Sequence, residues 1–233
     1  MPAAISIITT TMKTTTITDR TPLLNLLAWL SPAFPVGGFA YSHGLEWAVE
    51  AGDVRDGPSL REWVSDLLRS GSGRTDAVLL RAAHRACGNA GRLAEVAEIG
   101  TATVVARERR DEMLNQGRAF VLAMAAWGGL DVPEDSPYAV AVGAACGYRR
   151  VPEDDAVLAF LQAFSANLIS AAVRLVPLGQ SVGLRVLAEL EPTVIAIAEE
   201  TRDATMDDLG GCAFRSDLAA MQHETQYTRL FRS

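Results

Sequence analysis

Apolar residues recur at helical spacing along most of the chain. The pattern predicts helices at residues 21–30, 42–52, 59–69, 74–87, 92–127, 137–146, 152–173, 183–200 and 217–227. Prolines near the starts of several of these segments, and glycines after several of their ends, are typical of helix boundaries. Residues 92–127 are predicted as one long or broken helix, and strand-like alternation is confined to Ile5–Thr11. We therefore predict an all-α fold, a single-domain bundle of about ten helices.

The two ends of the chain differ from this helical body. Residues 1–20 are rich in threonine and carry only two basic residues, Lys13 and Arg20, which predicts a flexible N-terminal arm rather than a secretory signal. Met12, within this arm, is an alternative translation start. Residues 21–233 form the predicted helical domain. Its C-terminal tail, at about 223–233, is expected to be flexible and to bind a partner.

One predicted helix raises the question of a membrane span. The stretch Ala156–Val173 has no charged residue and has the length that a bilayer requires. It also contains four polar residues and many alanines, which favour a central helix packed on all sides in a soluble bundle. We predict no membrane association.

Composition narrows the classes of function. The formal net charge is −7 at pH 7, which argues against a nucleic-acid binder. Lys13 is the only lysine, so the helical body has neither a phosphate-binding Gly-x-x-x-x-Gly-Lys loop nor a Schiff-base lysine. Any nucleotide hydrolysis in its biology would then be carried out by another protein. Three separated cysteines without CxxC spacing predict reduced thiols, packed as small hydrophobic residues, in a cytoplasmic protein.

The last eleven residues, 223–233, are unusual for a chain end. They read His-Glu-Thr-Gln-Tyr-Thr-Arg-Leu-Phe-Arg-Ser, with Tyr227, Leu230 and Phe231 interleaved with Arg229 and Arg232. Tyrosine and arginine carry much of the binding energy at protein interfaces. Such a tail either packs into the core or binds a partner.

A second dense segment, Ser31–Glu46, combines prolines, glycines and aromatic residues. It is either a helix-to-helix loop packed into the core or a partner-binding surface. Its Ala-Tyr-Ser-His-Gly stretch is one residue away from the Gly-x-Ser-x-Gly elbow of hydrolases. That elbow needs a preceding strand, and a triad would need His84 or His223 beside Ser42. We interpret Ser42 as a helix cap, with a serine hydrolase using Ser42 as the alternative function.

The sequence does not predict a metal site, and its charged residues fit structural roles. His84 and Cys87 share a helical face, but two ligands do not make a metal site. We expect each histidine to be a satisfied core or surface imidazole and predict no buried metal centre. The charged face 107–118 is expected to be solvated surface. Arg174, where an apolar run ends, would complement a helix dipole.

Three motifs resemble signatures of the urease accessory protein F (UreF) family. Residues 223–233 match HETQY-[ST]-RLFRS, residues 31–46 match SPxxPxGxFxYSxGLE, and residues 171–181 match AAV[KR]LVPLGQ[ST]. Two departures are visible, because the family often has Arg at the position of Gln222 and Gln at that of His43. Arg174 also replaces the lysine that is frequent in the family, which keeps the charge and changes the hydrogen-bond geometry.

The resemblance implies a non-enzymatic accessory protein of urease maturation. Members form homodimers that bind the urease accessory protein D/H and the nickel-binding GTPase G, and the assembly delivers nickel to apo-urease. The resemblance thus implies no stably bound cofactor, with nickel handled by the complex and GTP bound by the partner GTPase. The tail is expected to become ordered against protein D/H by burying Tyr227, Leu230 and Phe231. The partner-binding residues implied by the motifs are Pro35, Gly37, Phe39, Tyr41, Ser42, Glu46, Arg174, Gln180, His223, Glu224, Tyr227, Arg229, Leu230, Phe231 and Arg232.

Overall fold

The computed structural model describes residues 19–233, and this part of the chain contains helices and no strand. The ten α-helices are α1 Thr21–Trp29, α2 Leu45–Glu50, α3 Gly57–Ser70, α4 Ser72–Arg85, α5 Ala90–Ala102, α6 Arg107–Ala123, α7 Tyr138–Tyr148, α8 Glu153–Leu175, α9 Gln180–Glu200 and α10 Phe214–His223. Short 3-10 turns occupy Gly38–Ala40, Met124–Trp127 and Met206–Asp208. The predicted all-α class is confirmed. The Ile5–Thr11 stretch and nearly all of the predicted N-terminal arm lie outside the described residues.

Local hydrogen bonds explain where the boundaries differ from those predicted. Helix α3 begins two residues before Ser59, because Asp56 and Ser59 form a reciprocal capping box in which Asp56 Oδ1 accepts from the Ser59 N–H at 2.9 Å. The segment 92–127 is broken, with Thr103–Ala106 separating α5 from α6. The last helix is placed wrongly by the sequence pattern, since it begins at Phe214 and ends at His223, where the tail leaves it.

Helix α8 lies at the centre of the fold and packs against α9, α4, α2 and α3. With a mean hydropathy of 1.8 it is long and apolar enough to cross a bilayer by length and composition, but half of the tested window is buried inside the protein. Burial of this kind is typical of a core helix, which can match a membrane span in length and composition. Helices α4 and α7 approach closely at Gly143, where a Cβ atom would lie 2.2 Å from the Leu80 carbonyl oxygen.

A buried arginine joins three helices at one end of the bundle. Arg81 of α4 is 1% exposed. Its guanidinium donates to Glu153 Oε1 at 2.7 Å and Asp154 Oδ1 at 2.8 Å in the first turn of α8, and to the Ala198 carbonyl near the end of α9 at 2.7 Å. One side chain thereby satisfies a C-terminal carbonyl of α9 and two carboxylates that complement the dipole of α8.

Candidate partner-binding site at the docked tail

The tail, residues 224–233, folds back onto the protein instead of extending from it. The Arg232 N–H donates to the Ala40 carbonyl at 2.9 Å, and the Ser42 N–H donates to the Ser233 carbonyl at 2.9 Å. Phe231 is 5% exposed and Ser233 is 1% exposed. The expected flexible tail is thus docked at its end, because backbone hydrogen bonds and a buried aromatic ring hold it to the segment 40–46.

Glu46 is the main support of the docked tail. This carboxylate, on α2 and 7% exposed, accepts from the Leu230 N–H at 2.6 Å and from the Phe231 N–H at 2.8 Å. His223 Nε2 lies 3.1 Å from the same carboxylate, and His223 Nδ1 lies 2.6 Å from Glu108 Oε2. Arg229 Nη1 donates to the other Glu108 oxygen at 2.5 Å. Both carboxylates thereby have hydrogen-bond partners, as their burial requires.

A second polar cluster lies under the last residue of the tail. Glu112 of α6 is 1% exposed and accepts from the Ser233 hydroxyl at 2.6 Å. His43 Nδ1 lies 2.9 Å from both Glu112 Oε1 and Arg109 Nη1, and Arg109 also donates to Glu112. Burial alone would raise the Glu112 pKa, but Arg109 and His43 outweigh it and lower the pKa to about 2. Burial and the Arg109 charge lower the pKa of His43.

Ser42 is a structural residue in this arrangement. Its hydroxyl donates to the Ser233 carbonyl and accepts from the Glu46 N–H in the first turn of α2 at 3.2 Å. The cap position itself is occupied by Gly44, so the prediction that Ser42 is the N-cap is wrong by two residues. Gly44 caps α2 from the position just before it at a φ of +73°, and a Cβ there would lie 2.7 Å from the Ala220 amide nitrogen of α10. Ser42 is fully buried, and no strand precedes it within residues 19–233, so the hydrolase alternative is wrong.

Arg174 connects the central motif to the other two. Its Nη2 donates to the Phe39 carbonyl at 2.7 Å, and its guanidinium carbon lies 4.3 Å from the centroid of the Phe231 ring. A cation over an aromatic face is attracted by the ring quadrupole. Arg174 therefore joins the segment 31–46 to the tail, beyond its place in the last turn of α8.

The remaining predicted site residues divide by exposure. Tyr41, Ser42, Glu46, His223 and Phe231 are buried supports, whereas Phe39 is 71% exposed, Leu230 is 66% exposed and Tyr227 is fully exposed. Glu224 accepts from the Arg107 N–H at 2.8 Å. Pro35 and Arg232 are exposed and Gly37 is half-buried, and all three lie in the segment 31–46 or the tail. Gln180 is exposed at the start of α9, and within residues 19–233 it forms no hydrogen bond to the tail.

An exposed apolar stripe on α10 leads into the tail. Phe214, Leu218 and Met221 follow helical spacing and are 65%, 43% and 38% exposed. Large apolar residues grouped on one exposed face mark interaction sites. With Tyr227 and Leu230 they provide the apolar residues of a candidate partner-binding surface.

Sequence reasoning missed the acidic support on α6. The charged face 107–118 was expected to be solvated, but Glu112 is buried and the Glu108 side chain is only 11% exposed. Glu108, Glu112 and Gln116 share one face at a spacing of four residues, and Gln116 donates to Glu112 at 3.0 Å. That face also carries Phe120, which is fully buried. The four-residue spacing that ends at Phe120 was therefore the sequence signal that this face of α6 is turned toward the core.

Beside this cluster lies a cavity of about 390 Å³ under the segment 30–39. Asp76 of α4, Arg109, Glu112 and His43 contribute its polar wall, and aromatic rings contribute much of the rest. Burial raises the pKa of Asp76 to about 7; the Glu112 carboxylate adds to the rise and Arg109 opposes it. A carboxyl that titrates near neutral pH is therefore present in the cavity wall.

Asp76→Asn should make the protein more stable at neutral pH. The Asp76 pKa is raised from 3.8 to about 7 in the fold, so between these values the folded state holds a proton that the unfolded chain releases. This group therefore lowers stability as pH rises from about 4 to about 7. The full shift would correspond to about 4 kcal/mol, but Asp76 is only half-buried, which reduces the effect. We expect nearly equal stability of variant and parent at pH 4, and a gain on the order of 2 kcal/mol at pH 7.5, in urea unfolding curves. A constant difference at both pH values would contradict this.

The described residues offer few groups for metal chemistry or catalysis. Among residues 19–233 no group of three or more His, Cys, Asp and Glu side chains is placed to hold a metal ion. Cys146 is buried as predicted and Cys87 is half-buried, but Cys212 is exposed near Asp217, so packing as a hydrophobic residue is wrong for Cys212. An all-helical body with an exposed apolar stripe beside a docked aromatic tail is typical of a protein that binds other proteins.

Comparison with known proteins identifies the family. The UreF family model matches residues 54–191, more than half of the chain. The urease accessory protein UreF of Mesorhizobium japonicum is 52% identical over 91% of this chain and 96% of its own length. The corresponding proteins of Bradyrhizobium sp. strain BTAi1 and Rhodopseudomonas palustris strain BisB5 are 53% and 52% identical, over 92% and 91% of this chain and 93% and 91% of their own lengths. The chain belongs to the UreF family: it is a urease accessory protein, not an enzyme.

Proposed function

We propose that this chain is a cytoplasmic scaffold that bridges the urease accessory protein D/H and the nickel-binding GTPase G during urease maturation. As a homodimer it holds both partners against apo-urease, and nickel passes through the assembly as cargo. The chain itself holds no cofactor, and GTP is bound by the GTPase. The family membership supports the role in maturation, and the tail geometry supports the assignment of surfaces.

The observation that carries this proposal is that the tail has both buried residues, which fix it to the protein, and exposed residues, which are available to a partner. Phe231 is buried and the N–H groups of Leu230 and Phe231 are held by Glu46, while Tyr227 and Leu230 point their side chains to solvent. A segment already fixed in place loses little conformational entropy when a partner binds. The tail therefore acts as a preformed surface for protein D/H, together with Phe214, Leu218 and Met221 of α10.

This proposal revises the mechanism expected from the sequence. Phe231 is already buried within the chain, so it supports the surface from beneath rather than contacting protein D/H. We assign the contact with the GTPase and the dimer mate to the exposed residues of the segment 31–46, chiefly Pro35 and Phe39. Arg174 fixes the position of Phe39 relative to the tail, because it donates to the Phe39 carbonyl and stacks on the Phe231 ring.

Replacing both Tyr227 and Leu230 with alanine should remove protein D/H from the complex. Both side chains are exposed, so their loss leaves the core intact while removing an aromatic and an aliphatic anchor. We expect at least a 100-fold loss of affinity, about 3 kcal/mol. The measurement is co-expression with proteins D/H and G from the same source, followed by pull-down, size-exclusion chromatography and titration of the purified partners.

Leu122→Ala is the matched control. Leu122 is 76% exposed on α6, more than three helical turns from Glu108, and its loss should not change binding. Truncation of Tyr227–Ser233 is a poorer test, because it also removes the buried Phe231 and the Ser233 contacts with Ser42 and Glu112. Full D/H binding by the folded double variant would overturn the assignment of this surface.

A further inference from the structure

The cavity beneath the segment 30–39 has the construction of a small-molecule site. Its volume of about 390 Å³ falls in the range of ligand pockets, roughly 300–1,000 Å³. Most of its wall is apolar, and its charged groups are Asp76 of α4 together with Arg109 and Glu112 of α6. The aromatic and sulfur-containing walls are formed by Phe34, Met113, Tyr138, Phe160 and Phe164.

The polar groups of the cavity leave one carboxylate without a partner. Arg109 is engaged by Glu112 and His43, and Glu112 is further bound by Gln116 and Ser233. Asp76 forms no hydrogen bond or ion pair with any side chain or backbone group of residues 19–233. Because Arg109 and Glu112 balance each other, the Asp76 carboxylate, once ionised, adds a net negative charge to a cavity whose wall is mostly apolar.

We propose that this cavity binds a small organic cation, with one ammonium or amidinium group on an apolar body of aromatic size. The cationic group lies at the Asp76 carboxylate, and the apolar body packs against the rings of Phe34, Phe160 and Phe164. A divalent metal ion fits less well, because no three ligating side chains of residues 19–233 are placed to share one ion.

The acid–base behaviour of the cavity agrees with this occupant. Because the pKa of Asp76 is about 7, its carboxyl is mostly charged at pH 8 and mostly neutral at pH 6. The charged groups that face it are Arg109 and Glu112 of α6, with the His43 ring in the same wall. Cation affinity should therefore fall about tenfold from pH 8 to pH 6, in proportion to the charged fraction.

The test uses 2-phenylethylamine as the probe and 2-phenylethanol as its uncharged counterpart. Binding to the full chain is measured by saturation-transfer NMR and titration calorimetry at pH 8 and pH 6. We expect the amine to bind at least tenfold more tightly than the alcohol at pH 8, and this preference to disappear in Asp76→Asn. Asp66→Asn, an exposed carboxylate on α3, should leave it unchanged.

A second variant separates the cavity from the charge. Ala163 of α8 lines the cavity, and Ala163→Phe should abolish binding of both probes by filling the space. Absence of amine binding, equal binding of amine and alcohol, or unchanged binding by Asp76→Asn would each overturn the proposal. Displacement of the amine by equimolar nickel would also overturn it, in favour of a metal site. The experiment needs no urease component, so its outcome is independent of the proposed scaffold role.

Discussion

Replacing Arg81 with methionine is expected to lower the free energy of unfolding by about 3 kcal/mol. Methionine fills much of the same buried volume, so the loss comes mainly from Glu153, Asp154 and the Ala198 carbonyl, which would lose their donor. Glu153 and Asp154 lie at the start of α8, and Ala198 lies near the end of α9. The backbone at both helix ends should therefore exchange its amide hydrogens faster. Urea unfolding monitored by circular dichroism gives the magnitude, and hydrogen exchange at residues 153–157 and 197–201 gives the location.

Arg61→Met is the matched control for Arg81. Arg61 also pairs with a glutamate on another helix, at 3.4 Å from Glu189, but the two side chains are 53% and 43% exposed. An exposed ion pair contributes little, so this variant should change stability by less than about 0.5 kcal/mol. If the two variants were equally mild, Arg81 would contribute no more than a surface ion pair, and its role in joining α4, α8 and α9 would be wrong.

The helical architecture could be predicted from the sequence because it depends on local patterns. Apolar spacing identified the helices, and the proline at 152 with the acidic residues after it marked the start of α8. The errors occurred where a contact distant in sequence decides the outcome. The apolar pattern predicts that the last helix continues to Tyr227, but α10 ends at His223. The backbone after His223 leaves the helix, and its Leu230 N–H donates to Glu46, which is 184 residues away in the sequence.

The candidate site could be predicted only in part, for the same reason. The motifs at 31–46, 171–181 and 223–233 were singled out, and the structure brings residues of all three into contact at Phe39, Arg174 and Phe231. The four-residue spacing that leads from Glu112 to Phe120 marked the buried face of α6, but the exposed charges beside Glu112 obscured that signal. Asp76 could not be predicted as a site residue, because a single carboxylate on a helix has no distinctive pattern and the cavity that it lines is formed only in the fold.

Glu46→Gln should release the tail and lower the free energy of unfolding by about 3 kcal/mol, the cost of a buried donor left without its acceptor. The carboxylate uses both oxygens to accept from the Leu230 and Phe231 N–H groups, and an amide can supply only one acceptor oxygen. One backbone donor would then face an NH2 group inside a buried site, where an unsatisfied donor is costly. Hydrogen exchange at Leu230 and Phe231 should accelerate on the order of 100-fold, and retention of protein D/H in the pull-down should fall.

Glu50→Gln, one turn further along α2 and exposed to solvent, provides the comparison. It should leave exchange, stability and D/H retention unchanged. Because Glu46 lies beneath the surface formed by Tyr227 and Leu230, loss of D/H binding in Glu46→Gln would act through the position of the tail rather than through a lost contact. Faster exchange with full D/H retention would show that protein D/H orders the tail for itself, and would contradict a preformed surface.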